Sequence, residues 1–180
     1  NISSDTPTPS QKNWFLHATT AVKDQGQCGS CWAFSVVEQI ESDWFLAGKT
    51  NKPEELSTQQ IVDCDEDDQP GGCGGTYAGR SGYGWVEKNG GLASEKEYPY
   101  TSGKAGQAGK CKKGVPNAGG KISNYSFATK PCDLPWDDCN NQDEDAIVNY
   151  LGTRGPLAIC VNARSWIHYK KGVLSAATCG

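Results

Sequence analysis

The sequence predicts an α+β fold arranged in two lobes, helical first and strand-bearing later. Three observations carry this. From Cys31 to Ala47 the apolar residues Ala33, Val37, Ile40 and Trp44 recur at spacings of four, three and four, the period of one helix face. After Gly155-Pro156 the pattern changes to a continuous apolar run, Leu157 to Val161, with Gly172-Val173-Leu174 behind it, and both read as buried strands. The length of 180 residues suits one large domain or two small lobes and is enough to bury a core.

Taken in order, the first ten residues are rich in Ser, Thr and Pro and read as an extended surface strap. The helix from Cys31 is placed to end at Gly48. Ser57-x-x-Gln60 forms a capping box for a second short helix through Ile61 and Val62. Asp63 to Asp68 carries five acids around Cys64 and reads as a solvated loop. Tyr77 to Lys88 predicts a third helix closed by Asn89-Gly90-Gly91, although Gly79, Gly82 and Gly84 weaken it. Gly103 to Gly120 is loop-like. Asp143 to Leu151 has acids in its first turn and Gly152 after its last, which predicts a fourth helix.

A net charge of −4 with no basic run argues against a nucleic-acid partner. No apolar stretch approaches the roughly 20 residues that span a bilayer, so no membrane partner is expected. No signal peptide precedes Asn1, so the chain reads as mature, with any targeting or pro-segment removed. Nine cysteines without a metal pattern point to an oxidising compartment, lysosomal, vacuolar or secreted. The odd count leaves at least one thiol unpaired within the chain, as a nucleophile in a disulfide framework would be. Asn1-Ile2-Ser3 and Asn124-Tyr125-Ser126 match the glycosylation acceptor pattern.

The chemistry concentrates in Gln25-Gly26-Gln27-Cys28-Gly29-Ser30-Cys31-Trp32-Ala33-Phe34-Ser35. A thiol in the first turn of a helix feels the positive end of the macrodipole, which favours thiolate, the nucleophilic form. The glycines allow a tight turn, and Gln25 can then bring a side-chain amide beside the sulfur to donate to an oxyanion on an attacked carbonyl. Cys28-x-x-Cys31 could instead be half of a zinc site or a redox pair. Zinc needs two more ligands, and the two histidines, His17 and His168, lie near no second Cys-x-x-Cys. The redox reading needs a strand and crossover helix, whereas Lys12 to Gln27 reads as irregular chain. No metal or cofactor is expected.

With these pieces in place the sequence resembles the papain-like cysteine peptidases of the cathepsin L type. The resemblance runs from about Trp14 to Gly180 through Gln25–Ser35, Leu56-Ser57 to Cys64, the turn at Cys73, Asn89-Gly90-Gly91-Leu92, Tyr98-Pro99-Tyr100 and Gly155-Pro156-Leu157. It implies a helical left lobe and a β-barrel-like right lobe with a cleft between them. The expected division is a strap over 1–13, the left lobe with the nucleophile over 14–120, and a partial right lobe over 121–180. The resemblance makes Cys31 the nucleophile and Gln25, with the Cys31 backbone N–H, the oxyanion site. Trp32 would wall the cleft, Gly74 and Gly75 would pair with an extended peptide substrate, and Thr76 and Tyr77 would border the S2 pocket. Cys160 would lie on the S2 floor and also serve as a small core hydrophobe. Cys28 would pair with Cys73 and Cys64 with Cys111. Cys132 and Cys139 have no counterpart and could pair locally, while Cys179 matches a cysteine whose partner lies later in the family's chain.

One departure follows. The family's catalytic histidine and asparagine come after the position of Cys179, and the chain stops at Gly180. His168, within Ser165-Trp166-Ile167-His168-Tyr169, resembles a surface turn, and His17 is a weaker candidate still. The sequence therefore carries the nucleophile without its base. A light chain disulfide-linked through Cys179 would supply the missing groups, or the sequence is incomplete, and residues 1–180 alone are expected to be inactive. The alternative is a catalytically incomplete relative acting as a peptide-binding or interaction module, although such a role needs no thiol at a helix start.

Overall fold

The computed structural model describes residues 7–66, 71–76, 82–131, 142–161, 163, 166–167 and 169–172. Helix α1, Cys31–Leu46, is the axis of the described structure. Its buried Ala33, Val36, Val37 and Ile40 form the face that the spacing predicts, and Leu56, Ile61, Val62, Val86 and Leu92 close over it. Its end is a Schellman turn: Gly48 N–H reaches Phe45 O at 2.8 Å and Lys49 N–H reaches Trp44 O at 3.2 Å, with Gly48 at φ +70°. Gly48 thus stops the helix as expected.

Midway along α1, Glu41 is buried at 2% exposure and anchors the segments on either side. Its carboxylate accepts from Lys23 Nζ at 2.6 Å, Thr20 Oγ1 at 2.7 Å and Leu56 N–H at 2.7 Å. A buried charge is tolerated only when paired and hydrogen-bonded in this way.

Helix α2, Thr58–Cys64, begins where Ser57 Oγ accepts Gln60 N–H at 3.0 Å. Only half of the expected capping box forms. Ser57 N–H donates to Ala93 O at 2.9 Å, and Gln60 Oε1 turns to Ala93 N–H at 2.8 Å instead of reaching back. The acidic stretch is also not simply a solvated loop. Asp63 accepts from Tyr98 Oη at 2.9 Å, Gly109 N–H at 2.6 Å and Gln59 Nε2 at 2.6 Å, which ties the end of α2 to the segments around Tyr98 and Gly109. The buried Tyr98 hydroxyl is pushed up to about 12, chiefly by burial.

Helix α3, Tyr83–Asn89, is shorter than predicted and follows Gly82, whose φ of +85° lies outside helical space; residues 77–81 lie outside the described set. Gly90, left-handed at φ +74°, ends it. A helical turn, α4 at Ser102–Ala105, interrupts the expected Gly103–Gly120 loop. Helix α5, Glu144–Thr153, is capped by Asp143, whose side chain accepts Ala146 N–H at 2.9 Å. It runs through Gly152 rather than ending there. A Cβ at Gly152 would meet Pro9 Cδ and Thr8 Cγ2, each at 2.9 Å, so this glycine admits the strap instead of terminating the helix. Asn149 Nδ2 donates to Thr8 Oγ1 at 3.1 Å and Trp14 Nε1 to Leu151 O at 2.6 Å, which fastens the strap to α5.

The expected buried strand at Leu157–Val161 is not one. Those residues are irregular, and Ile159 and Val161 are 62% and 49% exposed. An apolar run becomes a strand only where a neighbouring backbone completes its ladder, and among the described residues the only sheet-type pairs are the isolated bridges Leu56–Ser94 and Leu92–Gly119. Gly172 is exposed and outside any strand, and 173–180 lie outside the described residues. No helix among the described residues is long and apolar enough to cross a membrane.

Replacing Glu41 with Ala should cost about 3–5 kcal/mol in urea denaturation, because it strands Lys23 and the Leu56 N–H. A loss of under about 1 kcal/mol would show that Glu41 is not the anchor described.

Candidate active site

Cys31 is the first residue of α1 and its thiol is exposed and unpaired. At this position the backbone N–H groups have no partner one turn earlier and point outward. The turn before it is held from several directions. Gly26, at φ +59°, lets the chain pass Gly103 so closely that a Cβ there would sit 2.6 Å from Gly103 O, and Gln27 N–H donates to the same oxygen at 2.9 Å. Cys28 is disulfide-bonded to Cys73, and Gly29 N–H donates to Cys73 O at 3.1 Å. A Cβ at Gly29 would lie 2.6 Å from that oxygen, so only glycine fits the crossing.

Ser30 Oγ and Tyr100 Oη are 2.6 Å apart, and Tyr100 Oη donates to Gln25 O at 2.9 Å. Since the phenol has one proton, that proton serves Gln25 and Ser30 is the donor to Tyr100. Burial raises the Tyr100 hydroxyl above its ordinary value, the Ser30 bond opposes this, and Asp24 adds to it. The phenol therefore remains a donor through neutral pH and pins the backbone of Gln25. The Gln25 side chain is pinned separately, with Nε2 donating to Cys28 O at 2.8 Å. An amide nitrogen carries two N–H groups, so one sets the side chain's orientation and the second makes no hydrogen bond among the described residues.

Trp32 lies deeper than a cleft wall. It is 8% exposed, belongs to the core, and donates its indole N–H to Gly72 O at 3.0 Å. That bond holds the 3-10 turn Gly72–Gly74 against α1. Within that turn Gly74 N–H donates to Gly71 O and Gly71 N–H to Gly75 O, each at 2.9 Å. Gly74 N–H and Gly75 C=O are thus already spent, while Gly75 N–H makes no hydrogen bond among the described residues. Thr76 is half-buried beside it, and Tyr77 lies outside the described residues.

The Cys64–Cys111 disulfide forms as the resemblance implies. Because Cys28 is bonded to Cys73, the Cys28–Cys31 redox reading fails. Cys132, Cys139, His168 and Cys179 lie outside the described residues. Cys160 is exposed and unpaired rather than a core hydrophobe, since the segment bearing it has no layer above it among the described residues. His17 is exposed in the turn after Trp14, and no described imidazole hydrogen-bonds to Cys31. No group of three or more His, Cys, Asp or Glu is placed to hold a metal among the described residues.

Sequence reasoning missed the role of Tyr100 and Ser30. Tyr98-Pro99-Tyr100 was visible as a motif, but nothing local says that its second phenol reaches a turn 75 positions earlier.

Residues 8–180 match the family model described as papain family cysteine protease. A cysteine proteinase of Trypanosoma brucei brucei is 42% identical over 163 residues, covering 89% of this chain and 32% of that protein. Digestive procathepsin L 3 of Tenebrio molitor larval midgut superposes with a TM-score of 0.67 at 28% identity, over 86% of this chain and 44% of its own. The bromelain protease from Ananas comosus in complex with the E64 inhibitor superposes at 0.53 with 35% identity, over 64% of this chain and 49% of its own. The chain spans between about a third and a half of the length of the curated relatives it matches. Its α+β architecture is papain-like, and the chain belongs to the papain family of cysteine proteases.

Proposed function

We propose that this chain supplies the nucleophile and the oxyanion-binding groups of a cysteine endopeptidase acting on peptide or protein substrates. The observation that carries the reading is the exposed Cys31 thiol at the start of α1, preceded by a turn in which the Gln25 amide is fixed on Cys28 O. In this reaction the Cys31 thiolate attacks the scissile carbonyl carbon and a C–S bond forms. The oxygen takes up the electron pair between the Cys31 N–H and the Gln25 amide. Collapse breaks the C–N bond, an imidazolium protonates the leaving amine, and water then hydrolyses the acyl-enzyme to release the acid and the thiolate.

The imidazole and the asparagine that orients it come from polypeptide beyond these residues, with a light chain joined through Cys179 as one arrangement. In the same reading the substrate backbone pairs at the Gly74–Gly75 turn by strand addition, helped by the unspent Gly75 N–H. Thr76, Tyr77 and Cys160 border S2, which takes a bulky apolar side chain. In this reading residues 1–13 are an extended N-terminal strap, 14–120 the mainly helical left lobe with the nucleophile, and 121–180 a partial β-rich right lobe. The two disulfides support an oxidising compartment, lysosomal, vacuolar or secreted, where Asn1 and Asn124 would be open to glycosylation. A purely peptide-binding relative would have no use for the exposed thiol.

In the assembled enzyme an epoxide reagent should label Cys31 first and abolish turnover, as located by peptide mapping. Labelling of Cys160, the other exposed thiol among the described residues, ahead of Cys31 would overturn the assignment. Gln25→Ala should lower kcat by a factor on the order of ten to a thousand with KM little changed, since an oxyanion donor acts in the transition state. A change confined to KM would contradict that role.

A further inference from the structure

Gln39 lies on α1, on the ridge that faces the segment following Gly155-Pro156. Its side-chain amide does what a neighbouring strand would do for that segment. Oε1 accepts Ala158 N–H at 2.7 Å, and Nε2 donates to Pro156 O at 3.1 Å. The second proton on Nε2 goes to Asp43 Oδ2, one helical turn on, at 3.0 Å. These three bonds leave a single orientation for the amide. Turning it over would set its oxygen against the Asp43 carboxylate and the Pro156 carbonyl, and its N–H groups against the Ala158 N–H. A glutamine amide has the donor and acceptor of a peptide unit, so here it supplies both halves of a ladder pair to a run that has no strand partner among the described residues.

The pairing also determines direction. Successive residues of an extended chain point to opposite sides, and a one-residue slip of Ala158 on Gln39 would exchange the sides of Ile159 and Cys160. We propose that Gln39 is a positioning residue that sets the register of the Pro156–Cys160 segment and thereby the shape and selectivity of the S2 pocket. The part concerning S2 rests on the endopeptidase reading above; the register itself does not.

Gln39→Met keeps the helix propensity and approximate volume of the side chain and removes both bonds to the segment together with the one to Asp43. Without activity, two readouts apply to the protein: hydrogen exchange at the Ala158 amide and the rate at which a maleimide modifies Cys160. Each should rise about fivefold, the size of one lost hydrogen bond, while alkylation of Cys31 by iodoacetamide keeps its rate. With activity, the ratio of kcat/KM between substrates bearing phenylalanine and valine at P2 should shift by about tenfold. Gln39→Glu keeps the Ala158 acceptor and should fall between. Unchanged exchange at Ala158 overturns the register role. Accelerated exchange with an unchanged P2 ratio in an active enzyme overturns the selectivity role. Accelerated exchange in Gln39→Met, together with an assembled wild-type protein that cleaves no peptide, overturns the endopeptidase reading while leaving the register role supported.

Discussion

The site depends on a place where two backbones touch. Gly29 and Cys73 approach until the N–H of one meets the carbonyl of the other at 3.1 Å, with no room for a Cβ at Gly29. The Cys28–Cys73 disulfide closes the same crossing covalently, and Trp32 closes it from the helix side through Gly72 O. One consequence is that the Gly72–Gly74 turn and the start of α1 form a unit, so the groups proposed to pair with substrate cannot drift from the thiol. Tyr100 holds Gln25 through its carbonyl, and Gly103 O accepts the Gln27 N–H of the same turn. Catalytic groups are useful only when held to fractions of an ångström, and here the supporting shell is mostly backbone.

A second theme is how a structure with so little sheet satisfies its buried backbone. Among the described residues, side-chain oxygens take the place of ladder partners. Gln59 Oε1 accepts Thr101 N–H at 2.7 Å and Ser102 N–H at 2.9 Å, and Gln60 Oε1 accepts Ala93 N–H. Glu95 accepts Tyr100 N–H at 2.7 Å, Glu41 accepts Leu56 N–H, and Gln39 accepts Ala158 N–H. An unpaired buried amide is costly, and the acceptors for Leu56, Ala93 and Ser102 each remove such a cost, while all of these side chains fix the path of a loop. Tyr98 and Asp63 extend the arrangement to the segment after α4, next to the second disulfide.

Much of this was legible in the sequence because it was local. The spacing of Ala33, Val37 and Ile40 marked the buried face of α1, Gly48 its end and Asp143 the start of α5. What was not legible depended on distant partners. Gly152 looked like a helix stop and proved to be a seat for Pro9, because a glycine needed for close approach reads the same as one needed for a turn. Leu157–Val161 looked like a buried strand because apolar composition signals burial without naming the neighbour that would provide it. Cys31 and Gln25 were legible as chemistry, whereas Tyr100, which holds Gln25 in place, lies too far along the chain to be found by spacing.

The crossing at Gly29 determines how Cys31 is presented. The direct measurement is the second-order rate of Cys31 alkylation by an epoxide in Gly29→Ala against the parent, in the assembled enzyme with the Cys28–Cys73 bond verified by mass spectrometry. A methyl group forced against the Cys73 carbonyl should displace the start of α1, and the account predicts a fall in rate of about tenfold to a hundredfold. An unchanged rate with the disulfide intact would show that the crossing does not position the thiol.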